Sequence, residues 1–163
     1  MNFFDALCQQ GPFNNEQFGL CDAPDAPVAW VDIENPPEWT ATVKNPQQKN
    51  VTFTAIDKCV IKDHEEIGRG RCDCMLTTDK VLYLIELKDR SSAGWVALAE
   101  AQLISTITFL SAAHDLSQYR KKKAFACNKK KSPFVTIDNA KQRHFFTTYG
   151  FRLDIQATVL IVD

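Results

Sequence analysis

Residues 73–90, DCMLTTDKVLYLIELKDR, contain an apolar run, VLYLI, that ends directly in Glu86, Leu87 and Lys88. Side chains alternate along a strand. On a strand here, Leu82, Leu84, Glu86 and Lys88 share one side, and Tyr83, Ile85 and Leu87 the other. A carboxylate and an ammonium at the end of a buried strand are costly unless they pair, hydrogen-bond or hold an ion. Of the twenty acidic residues only Glu86 has a lysine two places on, and it stands at the end of the most apolar strand. Asp73 lies thirteen residues earlier, and a hairpin at TTDK brings the two carboxylates towards each other. Two such oxygen donors and a main-chain carbonyl suffice to anchor Mg²⁺, which prefers hard ligands and keeps several waters. Lys88 could then orient an attacking water and offset charge on a phosphate.

Working outward, VTFTAIDKCVIK (51–62) alternates apolar and polar residues and reads as a strand, DHEEIGRGR as a turn, and RCDCML as the next strand. With VLYLIEL these make a three-stranded meander whose last strand is central. WVALAEAQLISTITFLSAAH (95–114) has no internal Pro or Gly and follows a Ser-Ser-Ala-Gly break, so it reads as a helix. Being apolar on nearly every side, it is expected to be covered on both faces. KKKAFACNK reads as a short strand, and a second helix runs from an Asp138 N-cap to Tyr149, before Gly150 as the C′ residue. FRLDIQATVLIV closes the chain as a strand. Trp95, Phe109, Phe145 and Phe146 fall at helical positions and read as core, while His64, His114 and His144 read as surface or capping residues.

The 163 residues fit one globular domain. Residues 1–50 hold six of the seven prolines and many Asn and Gln, and read as an arm or insertion packed on that domain, with a short helix near Phe3–Gln9 and a strand near Val28–Ile33. No run reads as a bilayer span, and the start lacks the pattern of a secretory signal, so a cytoplasmic protein is expected. A domain of this size does not need disulfides from its six cysteines. Cys72 and Cys74, alternate residues, read as core thiols sharing one face of a strand. Charge is graded along the chain: −5 over residues 1–50, −3 over 51–117 and +7 over 118–163. The basic end includes Arg120, Lys121, Lys122, Lys123, Lys129, Lys130 and Lys131 with no acid between them. Two basic clusters joined by an apolar strand could grip phosphates on either side of a cleft, or could equally protect a strand edge.

Asp73, then Glu86-Leu87-Lys88 closing an apolar strand, then a polar turn and a helix containing Gln102, resembles the PD-(D/E)xK nuclease superfamily, with its restriction-endonuclease-like fold. Over about residues 51–132 the order YLIELKDR, EAQLISTITFL and KKKAFACNKKK is similar to archaeal-type Holliday junction resolvases. The resemblance implies an α/β fold with a mixed central sheet flanked by helices, Mg²⁺ or Mn²⁺ as cofactor, and cleavage of phosphodiester bonds, DNA being favoured over RNA. It implies Asp73 and Glu86 as metal ligands, Lys88 as the catalytic lysine and Gln102 as a supporting residue. The proline that names the motif is Cys72 here. The family's further acidic residue has Glu34, Glu38 and Glu66 as candidates. A chain this small implies a homodimer or a subunit of a larger complex, serving repair, recombination or defence against foreign DNA. Two alternatives stay open on the same fold: a nucleic-acid-binding module that does not cut, and a protein-interaction subunit.

Overall fold

Strand β7, Val81–Lys88, is the axis of the molecule: every residue from Val81 to Leu87 is buried. The computed structural model describes residues 1–130 and 135–163. β5 (Val51–Ala55), β6 (Cys74–Thr77) and β7 form the expected antiparallel meander, with Ala55 opposite Cys74 and Cys74 opposite Ile85. Helix α1 (Trp95–Ala113) then crosses over to β8 (Lys121–Asn128), which lies parallel to β7. Helix α2 (Asn139–Tyr149) leads to β9 (Arg152–Ile155), parallel to β8. With β1 (Gln9–Phe13) on the other edge, the six-stranded sheet has the order β1-β5-β6-β7-β8-β9. β7 is central because a strand buried on both faces must be apolar throughout.

Both helix boundaries have local causes. The Asp138 side chain accepts the Lys141 N–H, and Gly150, at φ 74°, ends α2 in a left-handed conformation that suits glycine. Gly94, at φ 83°, starts α1, and His114 ends it. The α1 face bearing Trp95, Ala99, Leu103, Ile107 and Leu110 packs with Leu82, Leu84 and α2's Phe145. Contrary to the sequence reading, α1 is long and apolar enough to span a bilayer by length and mean hydropathy, 1.5, although one face packs on the central sheet. Its opposite face, expected to be covered, is exposed at Leu98.

The largest departure from the sequence reading lies in residues 1–50. They supply β1 and three strands of a second sheet: β2 (Gln17–Cys21), β3 (Trp30–Asp32) and β4 (Ala41–Lys44). The final segment, read as one strand, breaks at Gln156–Ala157, and β10 (Thr158–Leu160) joins this sheet in the order β10-β4-β2-β3. Phe18, Leu20 and Val43 from it pack against Phe53, Leu76, Tyr83, Ile85 and Phe125 of the central sheet. The molecule is therefore an α/β protein whose described residues form two mixed sheets and two α-helices. Helices cover one face of the central sheet and the second sheet covers the other. Gly19 is required where the second sheet receives Trp39, since a Cβ there would lie 2.0 Å from the indole.

Three smaller readings are corrected. The segment 51–62 is a strand only to Ala55, because Lys58 adopts φ 66° and the chain turns back, Ile61 N–H bonding to the Ile56 carbonyl. Cys72 and Cys74 do not share a face: the chain bends at Asp73, and Cys72 joins the helix-side core while Cys74 lies between the sheets. Cys21, Cys72, Cys74 and Cys127 are buried free thiols, but Cys8 and Cys59 form a disulfide, their Cα atoms 5.8 Å apart.

Candidate active site

The alternation read along β7 is observed: Leu82 and Leu84 meet the helices, and Tyr83, Ile85 and Leu87 meet the second sheet. Glu86 and Lys88 lie where the last turns of this strand open into a cavity of about 320 Å³. Asp73, Glu86, Lys88 and Gln102 all line it, so the four residues inferred from the motif come together. The bend that separates Cys72 from Cys74 places the Asp73 carboxylate against β7, where Oδ2 accepts the Leu87 N–H at 2.6 Å.

Lys88 Nζ is 2.6 Å from Glu86 Oε1 and donates to Gln102 Oε1 at 2.5 Å. Gln102 reaches from α1 and donates its Nε2 to the Arg71 carbonyl at 3.2 Å. One turn later, Thr106 Oγ1 accepts the Cys72 N–H at 2.8 Å. The helix thus ties together both strands that carry the charged groups. Gly70 permits this approach, since a Cβ on it would lie 3.2 Å from the Gln102 Cα.

Glu86 is 1 % exposed and Asp73 8 %. One Glu86 oxygen meets Lys88; the other, Oε2, is buried and among the described residues has no hydrogen-bond partner. Burial pushes the Asp73 carboxyl up to about 7, against the lowering by the Leu87 N–H and with a further rise from Asp22. Burial raises Glu86 well above the usual carboxylate range, and the charge of Asp73 adds to it while Lys88 opposes it. A single lysine does not compensate these carboxylates, and a second cation would.

Asp22, at the end of β2, lines the same cavity and was missed in the sequence. Its own carboxyl is raised, first by desolvation and then by Asp57. Nothing in the spacing could have found it, because it stands fifty-one residues before Asp73 and arrives through the second sheet. Glu34, Glu38 and Glu66 do not line this cavity: the first two are exposed, and Glu66 borders a neighbouring groove, 3.8 Å from Arg69. Among the described residues no three His, Cys, Asp or Glu side chains gather closely enough to hold a metal ion by themselves. Asp73 and Glu86, the latter through its Oε2, fit a hard cation that keeps most of its waters.

The basic tract divides. Lys88 is opposite Asn128, so Lys129 and Lys130 follow β8 at the cavity end, the Lys129 N–H bonding to the Lys88 carbonyl at 2.8 Å. Lys121, Lys122 and Lys123 are opposite Val81, Leu82 and Tyr83, about 20 Å away along the sheet, with Arg120 beyond them. There Lys123 pairs with Asp154 at 2.8 Å and Lys122 reaches the Tyr119 carbonyl. Lys131 lies outside the described residues. No protein-family model, no curated protein and no solved structure matches the chain.

Proposed function

We propose that the protein is a metal-dependent nuclease of the PD-(D/E)xK kind, on a restriction-endonuclease-like core formed by β5, β6, β7, α1 and β8. The observation that carries this reading is the buried, unpartnered Oε2 of Glu86 in a cavity shared with Asp73 and Lys88. A buried carboxylate oxygen left without a hydrogen bond costs about 1–3 kcal/mol, and a cation held beside it would offset that cost.

Asp73 and Glu86 would hold Mg²⁺ or Mn²⁺, which when bound would stabilise negative charge developing on a phosphate. Lys88, held by Glu86 and Gln102, keeps its ammonium beside the carboxylates, where it orients an attacking water and offsets charge on the phosphate. Gln102 restrains Lys88 from the helix side. Asp22 adds a third carboxylate at the cavity rim, where the family resemblance implies a further acid for which Glu34, Glu38 and Glu66 were the candidates. Lys129 and Lys130, exposed beside the cavity, meet flanking phosphates. DNA is preferred to RNA on the family resemblance alone, and cutting both strands of a duplex calls for a second copy or a partner subunit. A cytoplasmic setting belongs to this reading, and the Cys8–Cys59 disulfide weighs against it, because cytosolic thiols are kept reduced.

The test is cleavage of linear, branched and single-stranded DNA, and of RNA, in Mg²⁺ and in Mn²⁺ at low salt. Native protein is expected to cut, and Glu86→Ala and Lys88→Ala to lose about a hundredfold or more in rate. Cleavage retained by both variants would reject the site.

A further inference from the structure

Phe145 and Phe146 are neighbours on α2 and both read as core in the sequence, yet Phe145 is 2 % exposed and Phe146 51 %. Asn139, Gln142, Arg143 and Phe146 recur at helical spacing and, with Arg152 from β9, line a groove of about 280 Å³. The Arg152 guanidinium carbon stands 5.6 Å from the centre of the Phe146 ring. Gln142 clamps the helix to the strand, donating to the Leu153 carbonyl and accepting the Leu153 N–H, each at 2.8 Å. The groove is thereby held in shape.

Its charge is uncommitted. Lys141 pairs with Glu100 and Lys123 with Asp154, but among the described residues neither Arg143 nor Arg152 forms an ion pair. No acidic residue lies between Asn139 and Tyr149. Arg152 is opposite Lys123, which is opposite Tyr83, so the groove is about 17 Å along the sheet from Lys88 and two strands away.

We propose that this groove is a second nucleic-acid contact that takes a single strand, one base lying on Phe146 and adjoining phosphates on Arg143 and Arg152. An exposed ring accepts the face of any unstacked base, and a guanidinium serves both phosphate and ring. A duplex keeps its base faces stacked inside and would use the arginines only. An acidic peptide would likewise leave the ring without a role. The proposal goes beyond the cleavage site and stands without it, because binding can be read in chelator.

The experiment is fluorescence anisotropy with a labelled 20-nucleotide oligothymidine and a blunt 20-base-pair duplex, in EDTA, across a salt series. The native protein is expected to prefer the single strand. Phe146→Ala weakens single-strand binding about tenfold and leaves duplex binding unchanged, while Phe146→Trp retains it. Arg143→Gln with Arg152→Gln flattens the single-strand salt dependence by about 1.4 in log–log slope. The proposal is overturned if single strand and duplex bind equally, if Phe146→Ala changes neither, or if polyglutamate displaces the single strand as well as an equal length of unlabelled oligothymidine does. Cleavage by a native-like Phe146→Ala protein would then still report on Glu86 and Lys88 separately.

Discussion

The two ends of the β7–β8 strand pair both carry charge, in opposite physical states. At the start of β8, Lys121–Lys123 are half-buried, and Lys123 has its own carboxylate in Asp154. At the end of β7, Glu86 and Asp73 are nearly dry, Lys88 pairs with Glu86, and among the described residues Glu86 Oε2 has no partner. The first arrangement is an ordinary partly exposed ion pair, on a strand that β7 and β9 cover on both edges. The second reduces stability, so its presence asks for a ligand that completes it. The sequence reading treated the two basic clusters as one tract; burial distinguishes the two ends.

The contrast is broken most directly by removing the buried charge. Replacing Glu86 and Lys88 together by Met is expected to stabilise the protein by about 1–4 kcal/mol while abolishing cleavage, because an apolar pair avoids the desolvation cost. Thermal unfolding and a cleavage assay on the same preparation decide this, and a destabilised double variant would make the pair structural.

Acidity sharpens the same point. Asp73 holds its proton up to about 7 in the fold against 3.8 ordinarily, and Glu86 is shifted the same way. A carboxyl whose folded pKa is raised contributes stability fully below about 4 and loses it as pH climbs through about 7. The metal-free protein is therefore expected to melt at progressively lower temperature from pH 4 to pH 7, and Asp73→Asn to flatten the profile. Mg²⁺ should raise the melting temperature more at pH 8 than at pH 6, since it binds the ionised carboxylates.

Two weaker substitutions set the scale at each end. Asp22→Asn should lower the cleavage rate about tenfold and raise the Mg²⁺ concentration needed, with little change in melting temperature, because its carboxylate lies at the exposed rim. Lys123→Ala should cost no more than about 1 kcal/mol, the value of a partly exposed pair, and leave cleavage unchanged. A large loss of cleavage in Lys123→Ala would put the two ends in one site and undo the comparison.

How much was legible depended on whether a signal was local. The meander, α1 and α2 with its Asp138 and Gly150 boundaries could be read because periodicity, caps and turn residues act over a few positions. Asp73, Glu86, Lys88 and Gln102 could be brought together on paper because strand alternation and one hairpin relate them. Residues 1–50 could not be read this way: β2, β3 and β4 are three to five residues long, are separated by proline-containing connections, and acquire their burial by lying on the central sheet. Asp22 follows from that layer and the Cys8–Cys59 disulfide from the helix-side core that Cys8 joins, and spacing carries no trace of either.

By itself the sequence determined which residues could form a buried strand ending in a carboxylate and a lysine, since alternation and hydrophobicity are properties of neighbours in the chain. Only the tertiary structure decided that the Glu86 Oε2 would be left unpartnered, that the lysines of β8 would divide between two ends, and that Phe146 would face solvent. Those outcomes depend on which surfaces cover one another, and burial is set by contacts between segments far apart in sequence.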